Sequence, residues 1–294
     1  MIPKTNNVND MSKQELIALS ESLEALKLKK RYRKIDFRYP DTGLFPRTEY
    51  KKHMDFFALG KTNTIRALIG GNGTGKTEGI GCEVTYHATG IYPHWWVGRR
   101  FNKPIKAWLC SIENKQLRAG MQENLFGSYD DQGSGLIPRE HLLDDRGNLN
   151  TTAMAGTAGC IGVAYVRHHN SNGEFDGYSK LEFKTYEQGW ANFQGATRDL
   201  IWLDEEPSDP KLYGECLART RGPKGKEGIM LCGFTPLLGY TTVYLSFLPN
   251  GKQPENYISP ETPGKAAVVV TWDDVPHLSE EWKAQQIAEW RLTD

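Results

Sequence analysis

A glycine-rich stretch, "IGGNGTGKTEG", holds the residues of this sequence whose types and spacing most clearly specify chemistry. It has Gly70, four further residues and then Gly75, Lys76 and Thr77, which is the P-loop spacing. Glycines let such a loop curl with positive φ, so backbone N–H groups can approach phosphate oxygens. A helix that begins directly after the loop adds partial positive charge. We predict a nucleotide phosphate site formed by Gly70, Gly71, Asn72, Gly73, Thr74, Gly75, Lys76 and Thr77.

Three consecutive carboxylates follow a short apolar run in "LIWLDEEPSD", residues 200–209. Parallel α/β sheets bind ligands at the carboxyl ends of their strands, and Asp204 ends this run. In P-loop enzymes Lys76 would bridge the β- and γ-phosphates, while Thr77 and Asp204 would hold Mg²⁺. Glu205 is placed to orient the water that attacks the γ-phosphate, so the pair favours hydrolysis over transfer to an acceptor. Glu206 is expected to cap the next segment or to pair with an arginine.

The next predicted strand ends in "CGFTPLLGY", residues 232–240. In nucleic-acid motors of the P-loop class, a Ser or Thr at such a strand end senses the γ-phosphate and links hydrolysis to the grip on DNA. Thr235 is the candidate for that coupling role. The alternative is a simple exit from strand to turn at Pro236.

The elements that must position these residues alternate along the chain. Apolar strands are predicted at 64–70, 105–112, 199–206 and 266–272, with a further strand in "EGIMLCGFTP". Helices are predicted in "TEGIGCEVTYHATG", "ENKQLRAGMQENLFG", "PKLYGECLART" and "SEEWKAQQIAEWRLTD", and two strands surround the polar turn in "VRHHNSNGEFDG". This alternation predicts an α/β fold with a central, mainly parallel sheet flanked by helices.

The N-terminal part of the sequence is different in character. Ser12 and Glu15 form a capping box for a helix whose leucines recur at helical spacing. That helix ends in a basic run, in which Lys and Arg fill six of the eight positions from 27 to 34. Such a run is either a solvated helix end that suits the helix dipole or a docking surface for an acidic protein or nucleic acid.

Composition narrows the class of protein. The 294 residues carry 36 basic and 36 acidic side chains, so any nucleic-acid surface must be local. The five cysteines are far apart and are interpreted as reduced cytosolic thiols rather than disulfides or zinc ligands. The sequence shows no signal peptide and no apolar stretch of about 18 residues, so no membrane association is expected.

Several motifs together resemble a known family. The large terminase subunits of tailed double-stranded DNA phages carry similar motifs in the same order and at similar spacing, and here these are "GGNGTGKTE", "FKTYEQGWANFQGATRDLIWLDEEP", "CGFTPLLGYTTVY" and "TWDDVPHLSEE". The resemblance covers roughly residues 35–285. The "YEQG…FQG…DEEP" block and the "WDDVPHLSEE" exit are not general features of P-loop proteins.

The resemblance implies an ATPase domain of the ASCE type that drives double-stranded DNA into a procapsid. It implies ATP and Mg²⁺ as cofactors and a ring, a pentamer, on the portal protein. A small terminase subunit would recognise viral DNA, and the protein would act in the host cytoplasm. The domains expected are an N-terminal helical extension with the adenine-side segment (1–60), the P-loop ATPase core (61–272) and the start of a linker (273–294). The linker would lead to a nuclease domain that lies outside this sequence, so no nuclease activity is expected here.

The sequence departs from the family's pattern in two further respects, the position of an arginine and that of a glutamine. Relatives carry an arginine in the P-loop or before the Gly of the "QG" block, where this sequence has Asn72, Gly73 and Gln194. Arg198 is the first candidate for an arginine finger because it is nearest that block; the others are Arg118, Arg139, Arg219 and Arg221. The glutamine that usually contacts adenine is also missing, so Tyr50 or Phe56 is expected to stack on the base.

An ATP-driven DNA translocase is therefore the leading hypothesis. A helicase or another nucleic-acid-remodelling ATPase is the first alternative, although a single P-loop in 294 residues leaves little space for a second motor core. The second alternative is an NTP-binding assembly module with negligible turnover by itself. A dependence of turnover on protein concentration, DNA or portal separates that module from the motor.

Overall fold

A computed structural model describes residues 12–222, 227–251 and 256–290. The helices are α1 (Lys13–Tyr32), α2 (Lys51–Leu59), α3 (Lys76–Thr89), α4 (Asn114–Gln116), α5 (Glu123–Phe126), α6 (Pro210–Arg219), α7 (Thr242–Phe247) and α8 (Glu280–Trp290). A π-helical turn, Leu117–Gln122, joins α4 to α5. The strands are β1 (Ile65–Gly70), β2 (Lys106–Ser111), β3 (Thr151–Ala153), β4 (Ile161–His169), β5 (Phe175–Thr185), β6 (Leu200–Asp204), β7 (Ile229–Phe234), β8 (Asn256–Ile258) and β9 (Lys265–Val270).

All nine of these strands belong to one sheet, in the order β3-β4-β5-β2-β6-β7-β1-β9-β8. The six neighbours from β5 to β9 pair in parallel, and β3, β4 and β8 add antiparallel edges. The α/β fold with a mainly parallel central sheet is therefore confirmed. The strand of the P-loop, β1, is separated from β6 by β7. This order places the end of β7 between the P-loop and Asp204.

The central strands are buried on both faces, which explains their unbroken apolar runs. Alternate residues of each strand point to opposite faces, so Leu68 and Trp202 join one core while Ile69 and Ile201 join the other. The first core packs against α2, α3 and the aromatic segment that includes Trp96. The second core packs against α6 and α7. The sheet is thus the middle layer of three, and its carboxyl edge is held rigidly from both sides.

The edges of the sheet differ from the prediction in detail. The two strands around the polar turn form the β4–β5 hairpin as expected, with a register shift near His168. Two three-residue strands, β3 and β8, and the short helix α7 were not predicted. The helix predicted after β2 is interrupted by the π-helical turn, a feature often found at functional sites.

Helix α1 extends along the surface with no buried residue. The predicted capping box is present, with Ser12 and Glu15 hydrogen-bonded to each other's backbone or side chain. The basic end of the helix contacts the body of the protein, where Arg31 and Tyr32 both donate to Asp131. The docking role of this basic run stays a prediction. Within the described ranges, no helix combines the length and apolar character needed to cross a membrane.

Candidate nucleotide-binding and hydrolysis site

The P-loop connects β1 to α3 at the carboxyl edge of the sheet. Gly73 and Gly75 both have positive φ, at 78° and 77°, which is the left-handed region that glycine adopts without strain. A Cβ on Gly75 would also lie 2.9 Å from Cε1 of His53. The backbone conformation therefore favours glycine at both positions, and the space around Gly75 requires it there. The resulting cradle beside the first turn of α3 fits a phosphate group.

Lys76 opens α3 and is 7% exposed. Its Nζ donates to the carbonyls of Gly70 and Gly71, both at 2.9 Å, and to Oγ1 of Thr235 at 3.0 Å. Burial lowers the pKa of Lys76, although the carboxylates of Glu205 and Asp204 oppose that effect. The ammonium is thus held inside the loop by neutral oxygens, from which phosphate oxygens could take over its hydrogen bonds.

Thr77 and Asp204 meet although 127 positions separate them in sequence. Oγ1 of Thr77 donates to Oδ1 of Asp204 at 3.2 Å. Burial, together with the negative charge of Glu205, raises the pKa of Asp204 to about 7, against the lowering effects of Thr77 and Lys76. A carboxylate held in so negative an environment gains from a cation, and its hydroxyl neighbour is a suitable ligand for one.

A magnesium ion held jointly with a nucleotide fits this donor set. Mg²⁺ usually keeps several waters and takes only one or two carboxylates with substrate phosphates. Among the described residues, no group of three or more His, Cys, Asp or Glu side chains is arranged to hold a metal ion alone. Thr77 and Asp204 would therefore provide the protein's part of the shell, and the roles of both residues stay predictions.

Glu205 adopts a positive φ of 65°, which is unusual for a residue with a side chain. Its N–H donates to the carbonyl of Gly233 at 2.8 Å, and Tyr186 donates its hydroxyl to the carbonyl of Glu205, also at 2.8 Å. In this conformation Oε2 of Glu205 accepts from the N–H of Thr235 at 3.1 Å. The backbone turn thus aims the carboxylate at the end of β7, beside the P-loop.

Glu206 points away from this cluster and is 6% exposed. Its Oε1 accepts a hydrogen bond from the hydroxyl of Thr241, the residue that caps α7. The expected cap of the following segment is therefore wrong, because Asp209 caps α6, and Glu206 instead supports the cap residue of the later helix α7.

Thr235 links the two halves of the site. Its hydroxyl accepts from Lys76 and lies 3.3 Å from Oδ1 of Asn72, while its N–H donates to Glu205. A change in the position of either the P-loop or Glu205 must therefore alter the contacts of Thr235. This geometry suits the predicted coupling role better than a simple strand exit.

Three donors hold the outer side of the P-loop. Nε1 of Trp272 donates to the carbonyl of Asn72 at 2.8 Å, Nε2 of His277 lies 2.9 Å from the carbonyl of Gly73, and Nε2 of His53 lies 2.9 Å from that of Thr74. Sequence reasoning missed all three donors. Trp272 and His277 lie in the "TWDDVPHLSEE" motif, but neither that motif nor the sequence around His53 shows that these side chains contact the loop. Only the fold brings them together.

A pocket of about 490 Å³ opens beside Gly75 and the first turn of α3. Tyr50 lines it and is partly buried, so its ring is available to a base. Phe56 is fully buried and packs against the guanidinium of Arg66, so it is not available. The structure therefore favours Tyr50 of the two aromatic candidates.

Arg198 lies far from the P-loop of its own chain. It precedes β6, whereas Asp204 ends that strand, which separates the two by about 20 Å at ~3.3 Å per residue. Its guanidinium pairs with Glu182 at 2.8 Å and stacks over Trp108. Arg219 is beside it, whereas the exposed Arg118 lies on the π-helical turn that follows β2, at the carboxyl edge. An arginine finger at Arg198 could act only on another subunit, and that role stays a prediction.

The P-loop and the carboxylates thus lie around one phosphate-sized cradle, and comparisons with known proteins show which family the chain belongs to. A family model described as "Terminase large subunit, T4likevirus-type, N-terminal" matches residues 67–294. The chain belongs to the large terminase subunit family. The large terminase subunit of Salmonella phage P22 is 30% identical over 297 residues, covering 96% of this chain and 54% of that protein. The terminase chain therefore spans about half the length of this relative.

Solved terminase structures are more remote. A mutant of the large terminase ATPase domain of Thermus phage P74-26 is 15% identical, with a TM-score of 0.48 over 78% of this chain and 83% of that one. The large terminase of another thermophilic bacteriophage, solved in complex with ADP, is 14% identical, with a TM-score of 0.48 over 81% of this chain and 48% of that one.

Proposed function

We propose that this terminase chain is an ATP-hydrolysing motor domain that moves double-stranded viral DNA into a procapsid. One observation carries the hydrolytic part of the proposal. Lys76 contacts Thr235, Thr235 contacts Glu205, and Thr77 contacts Asp204, so residues from separate parts of the sequence surround one cradle. This is the arrangement that NTP hydrolysis at a P-loop requires.

Each residue has a distinct role in the proposal. The backbone N–H groups of residues 70–77 bind the phosphates, and Lys76 moves its hydrogen bonds from loop carbonyls to the β- and γ-phosphate oxygens. Thr77 and Asp204 hold Mg²⁺, which when bound neutralises charge on those phosphates. Glu205 accepts a hydrogen bond from the attacking water, orients it and takes up its proton. When the γ-phosphate is present, the hydroxyl of Thr235 contacts it in place of Lys76. The contacts of Thr235 therefore differ between the nucleotide states.

Membership of the large terminase family supports the motor part. Contacts to DNA would be mainly to phosphates, sequence-independent and therefore weakened by salt. The partners proposed are the portal of the procapsid, a small terminase subunit and further copies of this chain in a ring, a pentamer. The work would be done in the host cytoplasm. We propose an N-terminal extension at residues 1–60, the ATPase core at residues 61–272 and the start of a linker at residues 273–294.

Replacement of Glu205 by Gln tests the hydrolytic role. We expect Glu205→Gln to bind ATP as the parent does, yet to turn it over at least about 100-fold more slowly, since a general base contributes roughly 10²–10⁴-fold. Glu261→Gln, in an exposed loop before β9, is the matched control and should retain parental turnover. Unchanged turnover in Glu205→Gln would remove this residue from the role. A parental rate that does not respond to DNA or portal would contradict the motor.

A further inference from the structure

Two tyrosine–histidine pairs connect the pocket beside Gly75 to the carbonyls of the P-loop. In the first pair, the hydroxyl of Tyr39 lies 2.6 Å from Nδ1 of His53, whose Nε2 lies 2.9 Å from the carbonyl of Thr74. In the second, the hydroxyl of Tyr50 lies 3.2 Å from Nδ1 of His277, whose Nε2 lies 2.9 Å from the carbonyl of Gly73. In both pairs a tyrosine hydroxyl, an imidazole and a loop carbonyl follow one another, and the two carbonyls belong to successive residues of the loop.

The carbonyl partners fix a proton on Nε2 of both rings. A carbonyl oxygen can only accept, so Nε2 of each histidine must carry the proton. In a neutral imidazole Nδ1 is then an acceptor, which receives the tyrosine hydroxyl. Burial lowers the pKa of His53 to about 4, which keeps that ring neutral. Each pair is thus a directed relay, from tyrosine hydroxyl through imidazole to loop carbonyl.

Backbone strain marks the first relay independently. Tyr39 has a φ of 53°, and across the residues described it shares positive φ only with Glu205 among those other than glycine. A bulky residue in this region is strained and persists where surrounding contacts impose it. Tyr39 is 7% exposed and packs edge-on against the rings of Tyr50 and His53. The strained conformation delivers its hydroxyl to His53.

Both relays hold the loop from outside. The C=O and N–H of a trans peptide point in opposite directions, so a carbonyl held outward leaves the next N–H turned toward the cradle. The carbonyls of Gly73 and Thr74 share their peptide units with the N–H groups of Thr74 and Gly75. The donors come from two segments far apart in sequence, since His53 belongs to α2 and His277 follows β9. The loop is thus preorganised for an anion in the absence of one.

All four relay residues also line the 490 Å³ pocket. We propose that the two pairs are positioning elements: they set the affinity of the P-loop for a triphosphate, and they transmit to the loop whether the pocket is occupied. Under the proposed function, on which this inference rests, the occupant is the base of the nucleotide. A base against Tyr50 fixes its hydroxyl on His277, which stacks beside it at 5.9 Å between ring centroids. The loop then keeps its binding geometry.

His277 gives the sharper test because it is exposed, so its replacement leaves the core intact. We expect His277→Ala to raise the KM for ATP about three- to tenfold, the range for one hydrogen bond, while kcat changes less than about twofold. His277→Gln keeps a side-chain N–H donor and should recover part of the loss. Tyr50→Phe keeps the ring but removes the hydroxyl, and should raise KM in the same direction. His94→Ala, an exposed histidine away from the loop, should be silent.

Binding of inorganic tripolyphosphate separates an effect through the loop from direct contact with the base. His277→Ala should weaken tripolyphosphate as well as ATP, and ATP by the larger factor, because only ATP places a base against Tyr50. If it weakens ATP alone, or if KM is unchanged in His277→Ala and Tyr50→Phe, the relay is overturned. Melting temperatures of the variants should match the parent; a lower melting temperature with unchanged KM indicates a merely structural role and also overturns it. A parent chain that binds tripolyphosphate but hydrolyses no ATP would contradict the proposed function. The comparison of tripolyphosphate binding between the parent and His277→Ala would still test the relay.

Discussion

The ammonium of Lys76 lies 3.0 Å from the hydroxyl of Thr235, although 159 positions separate them in sequence. Thr235 also donates its N–H to Glu205. The residue proposed to bind phosphate and the residue proposed to activate water are thus joined through one threonine. The strand order explains this connection, because β7 lies between β1 and β6.

Replacement of Thr235 tests that connection. Thr235→Val preserves shape but leaves Nζ of Lys76 without its hydroxyl partner. We expect kcat to fall about 10- to 100-fold, the range for a hydrogen bond to a charged group. Thr235→Ser keeps the hydroxyl and should stay close to the parental rate in a steady-state ATPase assay. Equal rates for the valine and serine variants would show that the hydroxyl is not used.

Gly75→Ala should separate backbone strain from steric exclusion at the P-loop. Gly75 has a φ of 77° and its Cβ would meet His53, whereas Gly147 has a φ of 82° with no atom within 4 Å. Both alanine variants should lose about 1–2 kcal/mol of unfolding free energy, the cost of a left-handed non-glycine residue. Only Gly75→Ala should also lose nucleotide affinity, by at least about tenfold. Urea denaturation and nucleotide titration measure the two effects; parental affinity in Gly75→Ala would contradict the proposed packing.

The buried pair of Arg66 and Glu83 ties β1 to α3 beneath the P-loop. Both side chains are 1% exposed, and Arg66 makes two hydrogen bonds to the carboxylate. Burial opposes ionisation of Glu83, but the charge of Arg66 and the hydrogen bond from His87 outweigh it and lower its pKa. Glu83→Leu leaves a buried guanidinium unpaired, so we expect a loss of about 3–5 kcal/mol in the free energy of unfolding.

Two controls accompany that variant. Joint replacement of Arg66 by Met and Glu83 by Leu should recover most of the stability, because no isolated charge is left buried. Glu215→Gln weakens the more exposed pair with Arg219, whose side chains are 24% exposed, and should cost less than about 1 kcal/mol. If the single and joint variants lose equal stability, packing rather than charge dominates this site.

His53 predicts a specific dependence of stability on pH. Burial lowers its pKa from 6.5 to about 4 in the folded protein, despite the hydrogen bond to Thr74. Between these values the unfolded chain binds more protons than the folded one, so the free energy of unfolding falls as the pH decreases. The contribution is on the order of 3 kcal/mol across the window. His53→Gln should lose less stability than the parent between about pH 6.5 and pH 4.5 in urea denaturation; parallel pH profiles would exclude His53 as the cause.

A mixing experiment tests Arg198 as a finger that acts on a neighbouring subunit. Arg198→Ala and Glu205→Gln should each hydrolyse ATP poorly alone, yet a mixture should regain turnover, since some sites combine Glu205 from one chain with Arg198 from another. The same mixture with Arg118→Ala is the comparison, because Arg118 is exposed at the carboxyl edge of the sheet. If only the Arg118 mixture recovers turnover, the finger belongs to that residue.

The sequence predicted the parts of the site that depend on local spacing. The P-loop is continuous along the chain, and Asp204 and Glu205 follow a strand whose apolar run reflects burial on both faces. Thr235 follows the next such strand. Once the sheet is parallel, these strand ends must meet at one edge, so the cluster follows from the order of the elements.

Other features could not be predicted because they depend on tertiary contacts. His53 and His277 contact neighbouring carbonyls of the loop from two segments far apart in sequence, and neither has a spacing that marks it. Strands β3 and β8 are three residues long and exist through pairing with their neighbours. Helix α7 contains β-branched and aromatic residues typical of strands, and Thr241 at its N-terminus stabilises the helix instead.

At position 205 the residue that would best stabilise the backbone is not the residue that the proposed hydrolysis needs, because Glu205 has a positive φ. A glycine there would relieve roughly 1–2 kcal/mol of backbone strain, so a chain selected only to remain folded would discard the carboxylate. Stability-guided redesign of this protein would therefore be drawn to the residue on which its turnover is proposed to depend. A method that ranks substitutions by unfolding free energy would favour glycine at this position and, under the role proposed for Glu205, would lower turnover while raising the melting temperature.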